Sequence, residues 1–211
     1  MDDSNTLKRW EILAVLITGV LKFVLMDWLN FRAFYIAGAI LFWIIFIYKR
    51  YQRNPEILQK WGFRKESLKQ SLLWLSPFAI LLVVAIVVYG FIYNATFLNW
   101  HFLPVLLLYP VWGLFQQFMI AGLVAGNLAE LPESRLSKPQ AILVVSVLFA
   151  LIHYPSLPLM IYVLVMESVF LIAYFRWNNL WALGLYHGII SSFFLFFVLG
   201  RDLFTELWAV F

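Results

Sequence analysis

The chain has 211 residues, 64% of them hydrophobic and only 12% charged, where a soluble domain carries about 25% charge. So few polar residues cannot cover so much apolar surface, which excludes a water-soluble globule and makes lipid the solvent. The net charge of +4 sits between apolar runs, which assigns it to topology and lipid headgroups and not to nucleic acid, and the absence of cysteine excludes disulfides and thiolate chemistry.

The polar start, MDDSNTLKRW, runs into an apolar stretch with no small-residue cleavage site. It reads as a retained first helix and not as a signal peptide. A hydrocarbon core of about 30 Å takes about 20 helical residues to cross. Seven runs qualify, roughly 10–28, 31–48, 71–93, 101–126, 139–154, 158–175 and 179–199. The fifth is short and is closed by Tyr154-Pro155, and Pro77, Pro104 and Pro110 fall inside spans, where they favour kinks. Eight tryptophans (10, 28, 61, 74, 100, 177, 181 and 208) lie near run ends, as interfacial anchors do.

The expected fold is therefore an all-α, polytopic transmembrane helix bundle of about seven spans. Residues 1–70 read as a two-span segment plus a basic loop, and residues 71–211 as the helical core of one compact membrane domain. With the N-terminus in the cytoplasm, the inner segments hold twelve basic residues: Lys8, Arg9, Lys49, Arg50, Arg53, Lys60, Arg64, Lys65, Lys69, Arg135, Lys138 and Arg176. The outer segments hold two, Arg32 and Arg201, and Lys22 lies in the first span. That asymmetry sets the N-terminus inside, and a bacterial cytoplasmic membrane is the expected location. Asn94-Ala-Thr96 matches a glycosylation sequon by accident of spacing, and His101 reads as an interfacial residue.

Polar or ionisable side chains inside a span are costly and are functional candidates by default. They are Lys22 and Asp27 in the N-terminal half, and Gln116, Gln117, His153, Glu167, His187 and Ser191 in the C-terminal half. At about 1.5 Å per residue, Gln116 lies roughly 15 Å deep, His187 roughly 12 Å and His153 roughly 20 Å. His187 and Ser191 are one turn apart and share a face. Any one such residue is more often hydrogen-bonding glue between helices, at about 0.6–2 kcal/mol, than chemistry. Two amides and two imidazoles at similar depth on three helices are less readily explained that way.

The same residues carry a family likeness. Phe149-Ala-Leu-Ile-His153 matches an FxxxH motif, His187-Gly-Ile-Ile-Ser191 approaches HxxxN, and Gln116-Gln117-Phe-Met-Ile-Ala121 stands where EExxxR is found. In that order, on separate helices, they resemble the CPBP family of CAAX-processing and bacteriocin-related (Abi) intramembrane proteases. The likeness runs over roughly residues 60–195 and includes the lead-in YFRWNNLWALGLYH and the basic stretch WGFRKESLKQSLLW. It implies that positions 116, 117, 121, 153, 187 and 191 form the family site. There, a motif-one glutamate and a histidine activate water, while the other histidine and an asparagine hold the oxyanion. Here both acids are amides, the arginine is Ala121 and the asparagine is Ser191.

A neutral amide cannot accept a proton near neutrality. General-base catalysis is worth about 10²- to 10⁴-fold, roughly 3–5 kcal/mol of barrier. An arginine left without its carboxylate would be an unpaired buried charge, so alanine is its natural companion. The leading expectation is a non-catalytic or impaired family member that binds membrane lipid, a membrane peptide or a partner helix. The alternative is an active intramembrane endopeptidase that uses His153 and His187 with Glu167 as replacement acid or base. A small transporter subunit is the third reading, although no inverted repeat supports it. Neither a metal nor another cofactor is expected, because two histidines without a carboxylate or thiolate make an incomplete shell for zinc.

Overall fold

The computed structural model describes residues 3–93 and 98–208, and the regular structure among these residues is helical, with no strand. The sequon at Asn94 lies outside the described residues. The helices are α1 (Asp3–Leu21), α2 (Arg32–Arg53), α3 (Ile57–Trp61), α4 (Leu68–Ile92), α5 (Phe102–Gln117), α6 (Gly126–Glu130), α7 (Lys138–Leu151), α8 (Leu157–Trp177), α9 (Leu180–Phe197) and α10 (Leu203–Trp208). Two π-helical segments, Lys22–Trp28 and Phe118–Ala125, continue α1 and join α5 to α6.

Among the described residues, five helical stretches are long and apolar enough to cross a membrane: Arg32–Arg53, Leu68–Ile92, Phe102–Glu130, Leu157–Trp177 and Leu180–Phe197. The other two expected spans are present as helices of a different kind. α1 carries Lys8, Arg9 and Glu11 in its first half. α7 has 14 residues, or about 21 Å at 1.5 Å per residue, short of a full hydrocarbon core. Pro77 and Pro110 sit inside unbroken helices, and Pro104 lies in the first turn of α5, where its missing N–H costs nothing.

The described residues form two compact units that interleave along the chain: Met1–Phe63 with Phe118–Arg176, and Arg64–Gln117 with Trp177–Phe211. The chain leaves the first unit after Phe63 and re-enters it at Phe118.

Inside the first unit, α3 is a short helix stopped by Gly62. Its φ of 112° suits a residue without a Cβ, and Phe63 N–H bonds back to Leu58 O at 2.9 Å to close the turn. The stop presents Trp61 to Phe46 and Phe118, at ring-centroid distances of 6.2 and 5.0 Å, and Trp43 packs on Phe118 edge-on. Trp61 is thus a core residue and not an interfacial anchor, because these rings bury it to 3% exposure. Tyr174 on α8 donates to Trp61 O at 3.0 Å and extends the same core.

Glu11 is also buried in this unit. Its carboxylate accepts from Arg50 Nε at 3.1 Å and from Asn127 Nδ2 at 2.7 Å, which ties α1 to α2 and α6. At the N-terminal end of α1, Lys8 and Lys60 share Glu130, and Arg9 meets Glu133 at 2.7 Å. α7 opens with a reciprocal cap between Ser137 and Gln140.

The second unit is built on α4, α5, α9 and α10. α9 packs on both α5 and α4, and Tyr186 on α9 donates to Leu72 O of α4 at 3.2 Å. Phe102 at the start of α5 stacks edge-on against Phe193, Phe196 and Phe197 near the end of α9.

Removing one partner of a buried ion pair strands the other charge at a cost of about 3–5 kcal/mol. Arg50→Ala is therefore expected to lower the thermal unfolding midpoint in detergent sharply by leaving the Glu11 carboxylate uncompensated. Arg53→Ala, at an exposed position one turn away, should change stability by no more than about 0.5 kcal/mol. Equal shifts for the two variants would contradict the role given to Glu11.

Candidate functional site

The site is best built from the turn that starts α9. Asn178 adopts the left-handed conformation, with φ of 46°, and turns the chain after α8. Asn179 follows as the N-cap, its side-chain oxygen accepting from Ala182 N–H at 3.1 Å. The amide nitrogen of the same residue donates to Arg64 O at 2.6 Å and to Ser67 Oγ at 3.2 Å. One fully buried asparagine thus starts α9 and anchors it to the segment that leads into α4.

Two turns further on, the backbones of α9 and α5 nearly touch. A Cβ on Gly184 would lie 2.5 Å from Leu114 Cα, and one on Gly188 would lie 2.2 Å from Pro110 N. On the facing helix, a Cβ on Gly113 would meet Gly184 O at 2.7 Å and Gly188 N at 2.9 Å. Gly184 and Gly188 form a small-xxx-small pair, the spacing by which membrane helices approach closely. His187 lies between the two glycines in sequence, and Gln117 lies one turn beyond Gly113. The Gln117 amide nitrogen meets His187 Nδ1 at 3.1 Å. Gln117 is fully buried, His187 is 2% exposed, and Ser191, one turn along, is 5% exposed. Ser192 uses its hydroxyl locally, donating to Gly188 O at 2.8 Å. Gln116 is only half-buried, but its side-chain oxygen is buried without a hydrogen-bond partner.

Ala121, His153 and Glu167 belong to the first unit. Ala121 is fully buried in the π-helical segment Phe118–Ala125. His153 sits in the turn just past α7, half-buried, with Nδ1 2.8 Å from Phe149 O. A carbonyl only accepts, so Nδ1 carries the proton. The Phe149 ring meets the imidazole edge-on at 5.0 Å. Both ends of the FxxxH spacing are thereby explained, since the phenylalanine holds the histidine by its ring and by its carbonyl. Glu167 is fully buried on α8, beside Met166, Phe170 and Leu171.

Lys22 and Asp27, the charged residues in the second half of the first expected span, pair with each other at 2.7 Å. They lie in the π-helical segment Lys22–Trp28, whose i→i+5 winding brings residues five apart together. Their charges are spent locally, and Lys22 also lies over the Phe23 ring.

His101 is more than an interfacial residue. Its Nδ1 lies 2.5 Å from Asp202 Oδ2, and its ring stacks on Phe204 of α10. Asp202 also receives Asn99 Nδ2 and Thr205 Oγ1, and it caps α10 through the Phe204 and Thr205 amides. Burial pushes the Asp202 carboxyl up, but the hydrogen bonds from His101, Thr205 and Asn99 outweigh it and hold the group at about 2.

Sequence reasoning passed over Gly113, Gly184, Gly188, Asn179 and Glu11. The glycine spacing and the Asn-Asn turn were visible signals; the partners of Glu11 were not. Among the described residues, no group of three or more His, Cys, Asp or Glu side chains is placed to hold a metal ion.

The stretch from the start of α5 to Ser191 and its neighbours contains every motif segment discussed above. Residues 98–193 match the Rce1-like family model. Its description is Type II CAAX prenyl endopeptidase Rce1-like, and the matched stretch is somewhat under half of the chain. No curated protein and no solved structure matches the chain. Helices α1 to α4, with the basic stretch before α4, lie outside the matched residues. With its long apolar helices, the chain is an integral membrane protein with a CAAX protease-like segment.

Two outcomes follow from this geometry. Gly188→Ala forces a Cβ into the Pro110 backbone and should cost at least about 1–3 kcal/mol, read as a lower unfolding midpoint. Gly38→Ala, where a Cβ meets nothing within 4 Å, should be neutral or stabilising. The Asp202 cluster contributes stability above the ordinary carboxyl value of 3.8 and loses it as pH falls from there to about 2. Hydrogen exchange of the α10 amides, corrected for intrinsic rates, should rise over that window, and Asp202→Asn should abolish the step.

Proposed function

We propose that this protein is a non-hydrolytic relative of the Rce1-like endopeptidases that binds an apolar peptide segment or partner helix within the membrane. The observation that carries the reading is the buried Gln117 amide, bonded to His187 at 3.1 Å where the family motif places a carboxylate. An amide at that position can orient an imidazole but cannot take a proton from water. The full burial of Ala121 supports the same reading, because an arginine there would need a carboxylate partner. The excess of Lys and Arg on one set of loops supports an N-terminus on the cytoplasmic side.

The test is a cleavage assay on the full chain in bilayers, with membrane peptides and prenylated CAAX-type peptides as substrates. The wild type is expected to release no product. The triple variant Gln116→Glu, Gln117→Glu, Ala121→Arg is expected to gain turnover that His153→Ala removes. Wild-type turnover that disappears in His153→Ala would overturn the proposal. A second reading keeps hydrolysis and rests on the complete burial of the Glu167 carboxylate in a membrane helix. In the same assay it requires wild-type turnover with a carboxylate-like pH limb that Glu167→Gln abolishes.

A further inference from the structure

Proton positions on His153 and His187 follow from what each Nδ1 faces. His153 Nδ1 faces Phe149 O at 2.8 Å, and a carbonyl can only accept. That imidazole holds its proton on Nδ1, so in the neutral ring the lone pair lies on Nε2. His187 Nδ1 faces the Gln117 amide nitrogen at 3.1 Å, and an amide nitrogen can only donate. The lone pair must then lie on Nδ1, and a neutral imidazole must carry its proton on Nε2.

We infer that Gln117 is a positioning residue that locks His187 in the Nε2–H tautomer, opposite to His153, and so turns His187 from a base into a hydrogen-bond donor. A carboxylate at 117 would do the reverse, accepting from Nδ1–H and leaving Nε2 as the basic atom. The exchange of acid for amide therefore does more than delete a proton acceptor. It reverses the polarity of the neighbouring ring while keeping the hydrogen bond that orients it. Close helix packing keeps the arrangement in place, because Gly113, Gly184 and Gly188 leave α5 and α9 no room to slide apart or rotate cheaply.

The reversal also names the chemistry that the ring can serve. Any group facing Nε2, whether of the protein or of a ligand, meets a donor and must itself be an acceptor. For a ligand this means a peptide or ester carbonyl, or a carboxylate. That last step rests on the binding role proposed above; the tautomer assignment does not.

The experiment is solid-state NMR of the full chain, labelled with ¹⁵N-histidine, in lipid bilayers near neutral pH. The chain has three histidines, so the His187 signals are assigned by their loss in His187→Gln. The expected wild-type pattern is an unprotonated Nδ1 and a protonated Nε2 at His187, with the reverse at His153. Gln117→Glu should move the His187 proton to Nδ1. Gln117→Met, which keeps the bulk and removes the donor, should give a mixture of the two forms and covers the case in which the acid variant fails to fold. A wild-type His187 protonated on Nδ1, or on both nitrogens, overturns the inference. So does an unchanged tautomer in Gln117→Met. These readouts do not depend on any cleavage assay, so a failure here and a failure of the proposed function are separate results.

Discussion

Close approach of α5 and α9 is the constraint on which the second unit depends. Lipid tails are as apolar as leucine, so helices gain nothing by hiding leucines from them. They gain by packing, and the tightest packing is available where no Cβ intervenes. Gly113, Gly184 and Gly188 provide this over one turn of each helix. Three of that unit's buried polar residues lie along the contact. Gln117 is one turn from Gly113, His187 is flanked by the two α9 glycines, and Ser191 is one turn further on. A single bulky residue in the seam would separate the amide from the imidazole without touching either.

The start of α9 shows how the loops serve the same end. Asn179 caps the helix with its oxygen and holds the approach to α4 with its nitrogen. Asn178 supplies the left-handed turn that allows both. The lead-in WNNLW is thus a mechanical element that sets where α9 begins, and with it the height at which His187 projects.

How much of this was legible in the sequence depends on range. Spans, polar in-span residues and the Phe149–His153 spacing are local, and each is explained by local geometry, down to the Phe149 carbonyl that orients the ring. The small-xxx-small spacing of Gly184 and Gly188 is equally plain in the sequence, but Pro110 and Gly113 as its partners are not. Glu11 goes unremarked in the sequence because its partners, Arg50 and Asn127, are distant in the chain. Trp61 read as an interfacial anchor for the same reason, since its burial depends on Phe118. His101 looked isolated until the chain beyond α9 returned Asp202 and Phe204 to it. Where a residue's role is set by a neighbour a hundred positions away, hydropathy and spacing are silent.

The π-helical stretch Lys22–Trp28 bears on how the first helix tolerates its surroundings. Two isolated charges on an apolar helix are two separate costs, highest at a bilayer centre, where insertion scales give about 2.5–3.5 kcal/mol each. The wider winding lets them meet within one segment, with no help from another helix. The paired segment carries opposite charges and no net one, and its field falls off with distance as that of a short dipole.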